Sequence, residues 1–216
     1  MWCWALIAKA DVENAFRILP THPSEYHLLG FIWNNLYYYH KRLVMGGSPS
    51  CSTFEQLSRA IQWILRNIFN VKYITHILDD FIFVSPSATT ECQAYLSMFI
   101  NLAAALNIPL NMAKTVQPST TVIVHGYEMD TIKMQIRLPD DKITKARTEL
   151  ENLLHNKKAT LQKMQSVIGF LNFTCAVIPP GRPFLRRMIN LTMGISRPHH
   201  YIRITKEVRS DIRMWL

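Results

Sequence analysis

Two adjacent aspartates, Asp79 and Asp80, lie in the middle of an apolar, strand-like stretch of the sequence. This stretch predicts two short strands, Tyr73–Leu78 and Phe81–Val84, joined by a two-residue turn that carries both carboxylates. A carboxylate in apolar surroundings protonates or recruits a cation, so this turn suits a divalent metal ion. The alternative interpretation is an acidic hairpin turn that faces water, where aspartate is common.

A third acid, Asp11, follows the strand-like run Trp4–Ala10. If this strand pairs with the aspartate hairpin, Asp11, Asp79 and Asp80 converge at one edge of a sheet. Three carboxylates there suit two Mg²⁺ ions, with Mn²⁺ as the alternative ion, because both prefer hard oxygen ligands. Two such ions lower the pKa of an attacking hydroxyl and neutralise a leaving pyrophosphate. Asp11 could instead cap the helical turn that follows it.

Phe16 lies five residues after Asp11 and has two interpretations. A large ring at this place could be an ordinary core residue. It could also form a floor against the sugar of a bound nucleotide, and the residue type alone fits both roles.

The hydrophobic pattern predicts an α+β body followed by a helical region that begins after Pro139. Asn34 and Asn35 form a turn signal between two strand-like segments, and Pro49 suits the first turn of a long amphipathic helix. The other predicted elements are strands Tyr26–Trp33, Leu36–Leu43, Val122–Tyr127 and Lys133–Leu138, and helices Ser50–Phe69, Glu91–Leu106, Asp140–Leu154, Thr160–Cys175 and Phe184–Leu191.

The composition favours a folded protein with a polyanionic partner. The chain has 216 residues, of which 49% are hydrophobic, so it has enough apolar residues for a sizeable core. The formal net charge of +9 favours nucleic acid or another polyanion as partner. No apolar run has transmembrane length. The four cysteines form no Cys-x-x-Cys pair, which predicts reduced thiols in an intracellular protein of the nucleus or cytoplasm, not a secreted one.

Taken in order, these segments resemble a reverse transcriptase over nearly the whole chain. The first polymerase motif, D-x-x-x-A-F, matches Asp11–Phe16, and the second matches Met45–Glu55. The third matches Leu78–Phe81 and carries the aspartate pair. The fourth and fifth are similar to Ile108–Thr115 and His125–Asp130. Each motif alone is weak, whereas five in this order are specific.

The second motif brings the resemblance closest to the DIRS-like retrotransposons, which carry a tyrosine recombinase. That group has Ser-Cys-x-x-Phe-Glu where retroviral and gypsy-type elements have Ala-Pro-x-x-Phe, and this sequence has Ser50-Cys-Ser-Thr-Phe-Glu55. The segment from Ile168 to Arg187 is also similar to the thumb of that group. Three positions depart from the family pattern: Ile77 replaces a tyrosine, Ala113 replaces an acid and His125 replaces an aliphatic residue.

The resemblance implies a catalytic role for the residues that match its motifs. Asp11, Asp79 and Asp80 match the metal-binding catalytic triad, and the backbone carbonyl of Val12 would be a further ligand. Lys114 matches the lysine of the fourth motif, which would donate a proton or charge to the pyrophosphate.

Four further positions would contact the nucleotide or the primer. Phe16 matches the steric gate that excludes a ribose 2′-hydroxyl, and Gly46 matches the loop along the template and the incoming nucleotide. Gly126 and Tyr127 match the primer grip, which positions the 3′-hydroxyl for in-line attack.

Basic residues after Pro139 would follow the backbone of a bound duplex, which gives salt-dependent and sequence-independent affinity. The alternative for each of them is an ordinary solvated face. These residues are Lys142, Lys145, Arg147, Lys157, Lys158, Arg182, Arg186 and Arg187.

The family fold implies three regions along the chain. Residues 1–138 would be a polymerase palm with partial fingers, an antiparallel sheet backed by helices on a ferredoxin-like core. Residues 139–195 would be a helical thumb, and residues 196–216 a linker or the start of a ribonuclease H region. The fingers would be largely missing. The implied partners are an RNA template with a DNA primer, deoxynucleoside triphosphates, and other domains of a longer element, with no membrane.

The leading hypothesis is therefore a fragment of an RNA-directed DNA polymerase from a retrotransposon. The alternative is a catalytically dead, nucleic-acid-binding relic of such an element, because the positive charge and a thumb would serve binding alone. A different two-metal enzyme such as a nuclease is disfavoured, since a nuclease needs neither a steric gate nor a primer grip.

Overall fold

The computed structural model describes residues 3–216, which fall into two units. The first unit contains the chain up to residue 124 together with residues 129–135, and the second contains residues 125–128 and 136–216. The strands are β1 (Leu6–Asp11), β2 (Gly30–Trp33), β3 (Leu36–Tyr39), β4 (Ile74–Ile77), β5 (Asp80–Ser85), β6 (Val116–Ser119), β7 (Thr121–Val124), β8 (Tyr127–Asp130), β9 (Gln135–Arg137), β10 (Lys158–Thr160) and β11 (Tyr201–Arg203). The helices are α1 (Ala15–Ile18), α2 (Ser50–Asn67), α3 (Glu91–Ala105), α4 (Asp140–His155), α5 (Leu161–Thr174), α6 (Arg186–Thr192) and α7 (Lys206–Trp215).

A four-stranded antiparallel sheet in the order β4-β5-β1-β6 organises the first unit. Helices α2 and α3 pack against it. On α2, the buried residues Phe54, Ser58, Ile61 and Leu65 recur at spacings of four, three and four, the period of one helix face. The predicted α+β fold, an antiparallel sheet backed by helices, is confirmed.

Three phenylalanines form the centre of the core under this sheet. Phe81 and Phe83 come from β5, and their ring centroids lie 4.6 and 5.6 Å from that of Phe99 on α3. All three side chains are fully buried or nearly so. Tilted aromatic contacts of this kind add to the free energy gained from burying the rings.

The hairpin of β2 and β3 turns at Asn34 and Asn35, as predicted, and both residues have positive φ, 50° and 59°. Such a turn matches the twist of the two strands. The preceding segment, predicted as strand from Tyr26, is instead a 3-10 helix at Pro23–Leu29, with the His22 side chain accepting from the Ser24 amide. The second strand ends at Tyr39, not at Leu43.

The segment predicted as one strand, Val122–Tyr127, is divided by a tight turn. His125 and Gly126 have φ of 49° and 84°, so the chain reverses there and β8 begins at Tyr127. Strands β7, β8 and β9 form a three-stranded sheet. The apolar pattern continued through the glycine, which is why the sequence predicted one strand in place of two.

The helices predicted after Pro139 are present, and α4 and α5 differ from the prediction by one residue at their ends. Thr160 caps α5 by accepting a hydrogen bond from the Lys163 amide at 3.3 Å. A 3-10 helix at Pro179–Leu185 precedes α6. The hydrophobic core of this unit consists of Leu150, Leu153, Ala159, Leu161, Met164, Val167, Leu171, Leu185, Met188, Ile202, Ile204, Val208 and Ile212.

Residues 196–216, expected as a linker or a lead-in segment, contain β11 and α7. Strand β11 pairs with β10, and Thr205 caps α7 by accepting from the Val208 amide at 3.4 Å. Val208 and Ile212 are buried in the core of the second unit. Within the described part of the chain, none of the helices is long and apolar enough to cross a membrane.

Trp215 of α7 packs closely on Gly181 of the 3-10 helix at Pro179–Leu185, and a substitution at Gly181 tests this contact. A Cβ at Gly181 would lie 2.2 Å from the nearest atom of the Trp215 ring, so Gly181→Ala must displace the ring. We expect this substitution to lower the free energy of unfolding by about 1–3 kcal/mol, the usual effect of overpacking. Urea unfolding followed by circular dichroism measures it.

Gly169 on α5 provides the matched control, because within the described part of the chain its Cβ position has no atom within 4 Å beyond its neighbours and the backbone of its own helix. Gly169→Ala should raise the free energy of unfolding by about 0.5–1 kcal/mol, since alanine is the better helix former. Equal effects of the two substitutions would contradict the packing of Trp215 on Gly181.

Candidate functional site

The pairing of β1 with β5 places the backbone positions of the three predicted aspartates next to one another at one end of the central sheet. Asp11 lies directly opposite Asp80 in the antiparallel ladder. Asp79 occupies the adjoining turn, and its carbonyl oxygen accepts a hydrogen bond from the Val12 amide at 3.0 Å. The two strands therefore pair in the way that the sequence led us to expect.

The turn itself differs from the prediction by one residue. It consists of Leu78 and Asp79, whereas the sequence predicted Asp79 and Asp80. Leu78 adopts a left-handed conformation with φ of 52°. Asp80 is instead the first residue of β5, where it pairs with Ile77 on one side and with Asp11 on the other.

Two lysines contact the aspartate cluster. The Lys114 Nζ lies 3.2 Å from Asp11 Oδ2, and the Lys9 Nζ lies 3.0 Å from Asp80 Oδ1. Lys114 was predicted as a site residue, but Lys9 was not. Lys9 precedes Asp11 by two positions on the same strand, so both side chains point to one face of the sheet. This alternation along the strand is the sequence signal that could have identified Lys9 as a site residue.

Burial and the Lys114 ammonium group act in opposite directions on the pKa of Asp11. Desolvation by burial raises the pKa of its carboxyl group, and the nearby Asp80 and Asp79 carboxylates raise it further. The Lys114 ammonium group favours the ionised form and opposes this shift. In return, its hydrogen bond with Asp11 raises the pKa of Lys114.

The loop that carries Lys114 is attached to the backbone of Asp11. The Asn111 amide donates to the Asp11 carbonyl oxygen at 2.8 Å, and the Lys114 amide donates to the Asn111 carbonyl oxygen at 3.1 Å. Val12 and Leu110 add an antiparallel bridge. These main-chain contacts place Lys114 beside Asp11, so its position does not depend only on the ion pair between the two side chains.

The donor set of this cluster is chemically suited to Mg²⁺ or Mn²⁺, because three carboxylates and the Val12 carbonyl are hard oxygen ligands. Asp80 and Asp79 are both close enough to Asp11 to raise the pKa of its carboxyl group. Among the described residues, however, no three metal-binding side chains are gathered around a single point. In the structure, lysine ammonium groups contact Asp11 and Asp80.

Phe16 and Gly46 also lie in the first unit. Phe16 is half-buried on α1, and its ring meets Phe54 edge-on at 5.6 Å between centroids. This position fits either of its two interpretations. Gly46 lies in an exposed loop with φ of 85°, a conformation that favours glycine. Among residues 3–216, its chain neighbours aside, no atom lies within 4 Å of its Cβ position.

Gly126 and Tyr127 belong to the second unit and are described there. A Cβ on Gly126 would lie 3.1 Å from the Phe173 ring and 3.2 Å from Lys142 Nζ. The Tyr127 ring stacks on Phe173 at 4.3 Å, and its hydroxyl donates to the Phe173 carbonyl oxygen at 2.9 Å. Burial raises the pKa of Tyr127. This turn is therefore fixed on α5.

The predicted backbone-binding residues have different environments. Lys142 lies over the Phe173 ring at 5.2 Å, and Lys145 lies over the Phe170 ring at 5.6 Å. Arg187 forms an ion pair with Asp211 at 3.0 Å, which engages it within the protein. Lys145 and Arg187 are nevertheless exposed, as are the remaining predicted side chains, Arg147, Lys157, Lys158, Arg182 and Arg186.

No protein-family model matches the sequence, and no curated protein matches it. Solved structures of similar fold include a foamy viral protease-reverse transcriptase in complex with an RNA/DNA hybrid, with 16% sequence identity and a TM-score of 0.71. That match covers 97% of this chain and 26% of the viral protein. The viral protein in complex with double-stranded DNA gives 17% identity and TM-scores of 0.71 and 0.68. Those two matches cover 97% of this chain and 34% and 40% of the viral chains. The chain therefore has a reverse-transcriptase-like fold and spans less than half of the proteins it resembles.

Proposed function

We propose that this chain is the polymerase part of an RNA-directed DNA polymerase, which extends a primer 3′-hydroxyl by nucleotidyl transfer. The observation that carries the proposal is the placement of Asp11 opposite Asp80, with Asp79 in the adjoining turn and Lys114 against Asp11. The reverse-transcriptase-like fold supports it independently.

The aspartates would hold two divalent ions, which supply charge to activate the primer hydroxyl and to neutralise the leaving pyrophosphate. Asp11, Asp79, Asp80 and the Val12 carbonyl are the proposed ligands. Lys114 is already protonated and lies at the edge of the cluster with its side chain largely exposed, so it can turn towards a phosphate. Phe16 would lie against the sugar, and Gly46 would let the loop approach the template.

The proposed partner is an RNA template paired with a DNA primer, together with deoxynucleoside triphosphates. The net charge of +9 favours such a partner, and the viral neighbours are seen with an RNA/DNA hybrid and with double-stranded DNA. In the second unit, Lys142, Lys145, Arg182 and Arg186 are available for phosphates, with Gly126 and Tyr127 as the primer grip.

At a finer level, we propose a DIRS-like retrotransposon polymerase, on the basis of the Ser50–Glu55 motif. Residues 1–138 would be the palm with partial fingers and residues 139–195 the thumb. Fingers, ribonuclease H and recombinase domains would be supplied by a longer polypeptide or by other chains. Residues 196–216 would lead towards such a domain, although their packing makes them part of the second unit.

A second candidate is a nucleic-acid-binding protein without catalysis. The specific observation in its favour is the contact of Lys9 with Asp80 and of Lys114 with Asp11, which places a positive charge against two of the three carboxylates. This candidate needs only the basic surface of the second unit.

Primer extension with Asp79→Asn distinguishes the two candidates. If Asp79 holds a divalent ion, the substitution should lower Mg²⁺-dependent extension on an RNA template by about 10³-fold, since a metal contributes several kcal/mol to the transition state. Glu151→Gln, an exposed acid on α4, should leave extension unchanged. Extension by Asp79→Asn at the wild-type rate would contradict the polymerase proposal, and an inert wild-type chain that binds duplex would favour the second candidate.

Lys9→Met tests the electrostatics of the cluster without relying on activity. The substitution removes a positive charge from beside Asp80, so divalent ions should bind more tightly, by about tenfold for a change of 1.4 kcal/mol. Isothermal titration calorimetry with Mn²⁺ and protein alone measures the affinity. Lys133→Met, at an exposed position, is the control. Equal or weaker Mn²⁺ binding by Lys9→Met would show that Lys9 does not oppose metal binding.

The salt dependence of duplex binding tests the proposed phosphate contacts. Replacing both Lys142 and Lys145 by alanine should lower the slope of log K against log salt concentration by about 2, one for each lost phosphate contact. Electrophoretic mobility shifts at several salt concentrations give this slope. Arg187→Ala is the contrast, because Arg187 pairs with Asp211. It should leave the slope unchanged and lower the free energy of unfolding by about 1–3 kcal/mol.

A further inference from the structure

Leu78 holds an unfavourable backbone conformation immediately before Asp79. Its φ is 52°, in the left-handed region where a leucine side chain is strained. A residue in this region stays there only when its surroundings fix it. The position of Asp79 therefore depends on whatever holds the backbone of Leu78.

Ser58 on α2 makes that contact. Its hydroxyl donates to the Leu78 carbonyl oxygen at 2.8 Å, while the Phe54 carbonyl oxygen of its own helix is farther away, at 3.3 Å. The Ser58 side chain is fully buried on the core face of the helix. A buried hydroxyl is costly unless it is hydrogen-bonded, so its presence among apolar neighbours indicates a specific role.

Other polar residues of α2 contact β4, the edge strand that leads into the Leu78–Asp79 turn. Gln62 and Arg66 donate to the Ile74 carbonyl oxygen at 3.0 and 2.8 Å. Glu55 lies 3.4 Å from the Nε2 of the buried His76. These contacts hold β4 against α2 at Ile74 and at His76. Ser58 is the member of the series that reaches the turn itself.

We propose that Ser58 is a positioning residue that holds the Leu78–Asp79 turn, and with it the Asp79 carboxylate, in place for the reaction. The consequence for nucleotidyl transfer rests on the proposed function, but the effect on the turn does not. On the opposite side, the Val12 amide donates to the Asp79 carbonyl oxygen at 3.0 Å. Exchange of the Val12 amide proton therefore reports on the position of the turn.

Amide hydrogen exchange in Ser58→Ala, followed by NMR on the full chain, is the first test. We expect the Val12 amide to exchange at least about tenfold faster than in the wild type, because the turn opens locally. The Val84 amide, which donates to the Tyr73 carbonyl oxygen at the other end of the hairpin, should not change. Unchanged exchange at Val12, or equal acceleration at both amides, would overturn the proposal.

Leu78→Gly provides the rescue, because glycine adopts positive φ without strain. In the Leu78→Gly background, Ser58→Ala should accelerate Val12 exchange by much less than in the wild-type background. Ser210→Ala is the control for a helix serine, because its hydroxyl donates to the Lys206 carbonyl oxygen of its own helix, at 3.2 Å. Equal effects of Ser58→Ala in both backgrounds would mean that Ser58 does not act through Leu78.

Steady-state primer extension links the turn to the proposed chemistry. Ser58→Ala should lower kcat by about 10²-fold with little change in KM for the nucleotide, as expected when a catalytic group is misplaced by about 1 Å. If the wild-type chain extends primers and Ser58→Ala is equally active, the role of Ser58 in the reaction is excluded. If the wild-type chain is inert, the proposed function fails, and Val12 exchange alone decides whether Ser58 positions the turn.

Discussion

The antiparallel pairing of β1 with β5 is the constraint on which the rest of the first unit depends. It places Asp11 opposite Asp80 at partly desolvated positions, where two carboxylates repel each other. The structure relieves this repulsion with a lysine on each carboxylate, one from the same strand and one from a loop bonded to the Asp11 backbone. Two of the three carboxylates of the cluster are thus paired with the protein's own positive charges.

Much of this site could be predicted from the sequence, because strand alternation and helical spacing are local properties. The convergence of Asp11 with Asp80 required only that two apolar strands pair. Lys9 could not be assigned a partner, since the diagonal contact with Asp80 depends on register, which is set by tertiary structure. The predicted position of the turn was wrong by one residue, because leucine rarely adopts the left-handed conformation that Leu78 shows.

The second unit combines aromatic rings with basic side chains. Phe173 illustrates this combination: Tyr127 stacks on its ring, its carbonyl oxygen accepts the Tyr127 hydroxyl proton, and Lys142 lies over its ring. These contacts limit the freedom of the lysine while leaving its charge near the surface. The sequence indicated the basic residues but not which of them are engaged within the protein, as Arg187 is with Asp211.

The register of β1 against β5 also limits which genetic changes the chain can tolerate. A substitution at Ala8 or Phe83 changes the packing but leaves every residue on its own face of the sheet. An in-frame insertion of one codon between Lys9 and Asp11 would reverse the faces, because side chains alternate along a strand. The carboxylate and the lysine would then point in opposite directions. Insertions and deletions among descendants of this sequence are therefore expected to gather in loops such as residues 86–90, and to be absent within β1 and β5.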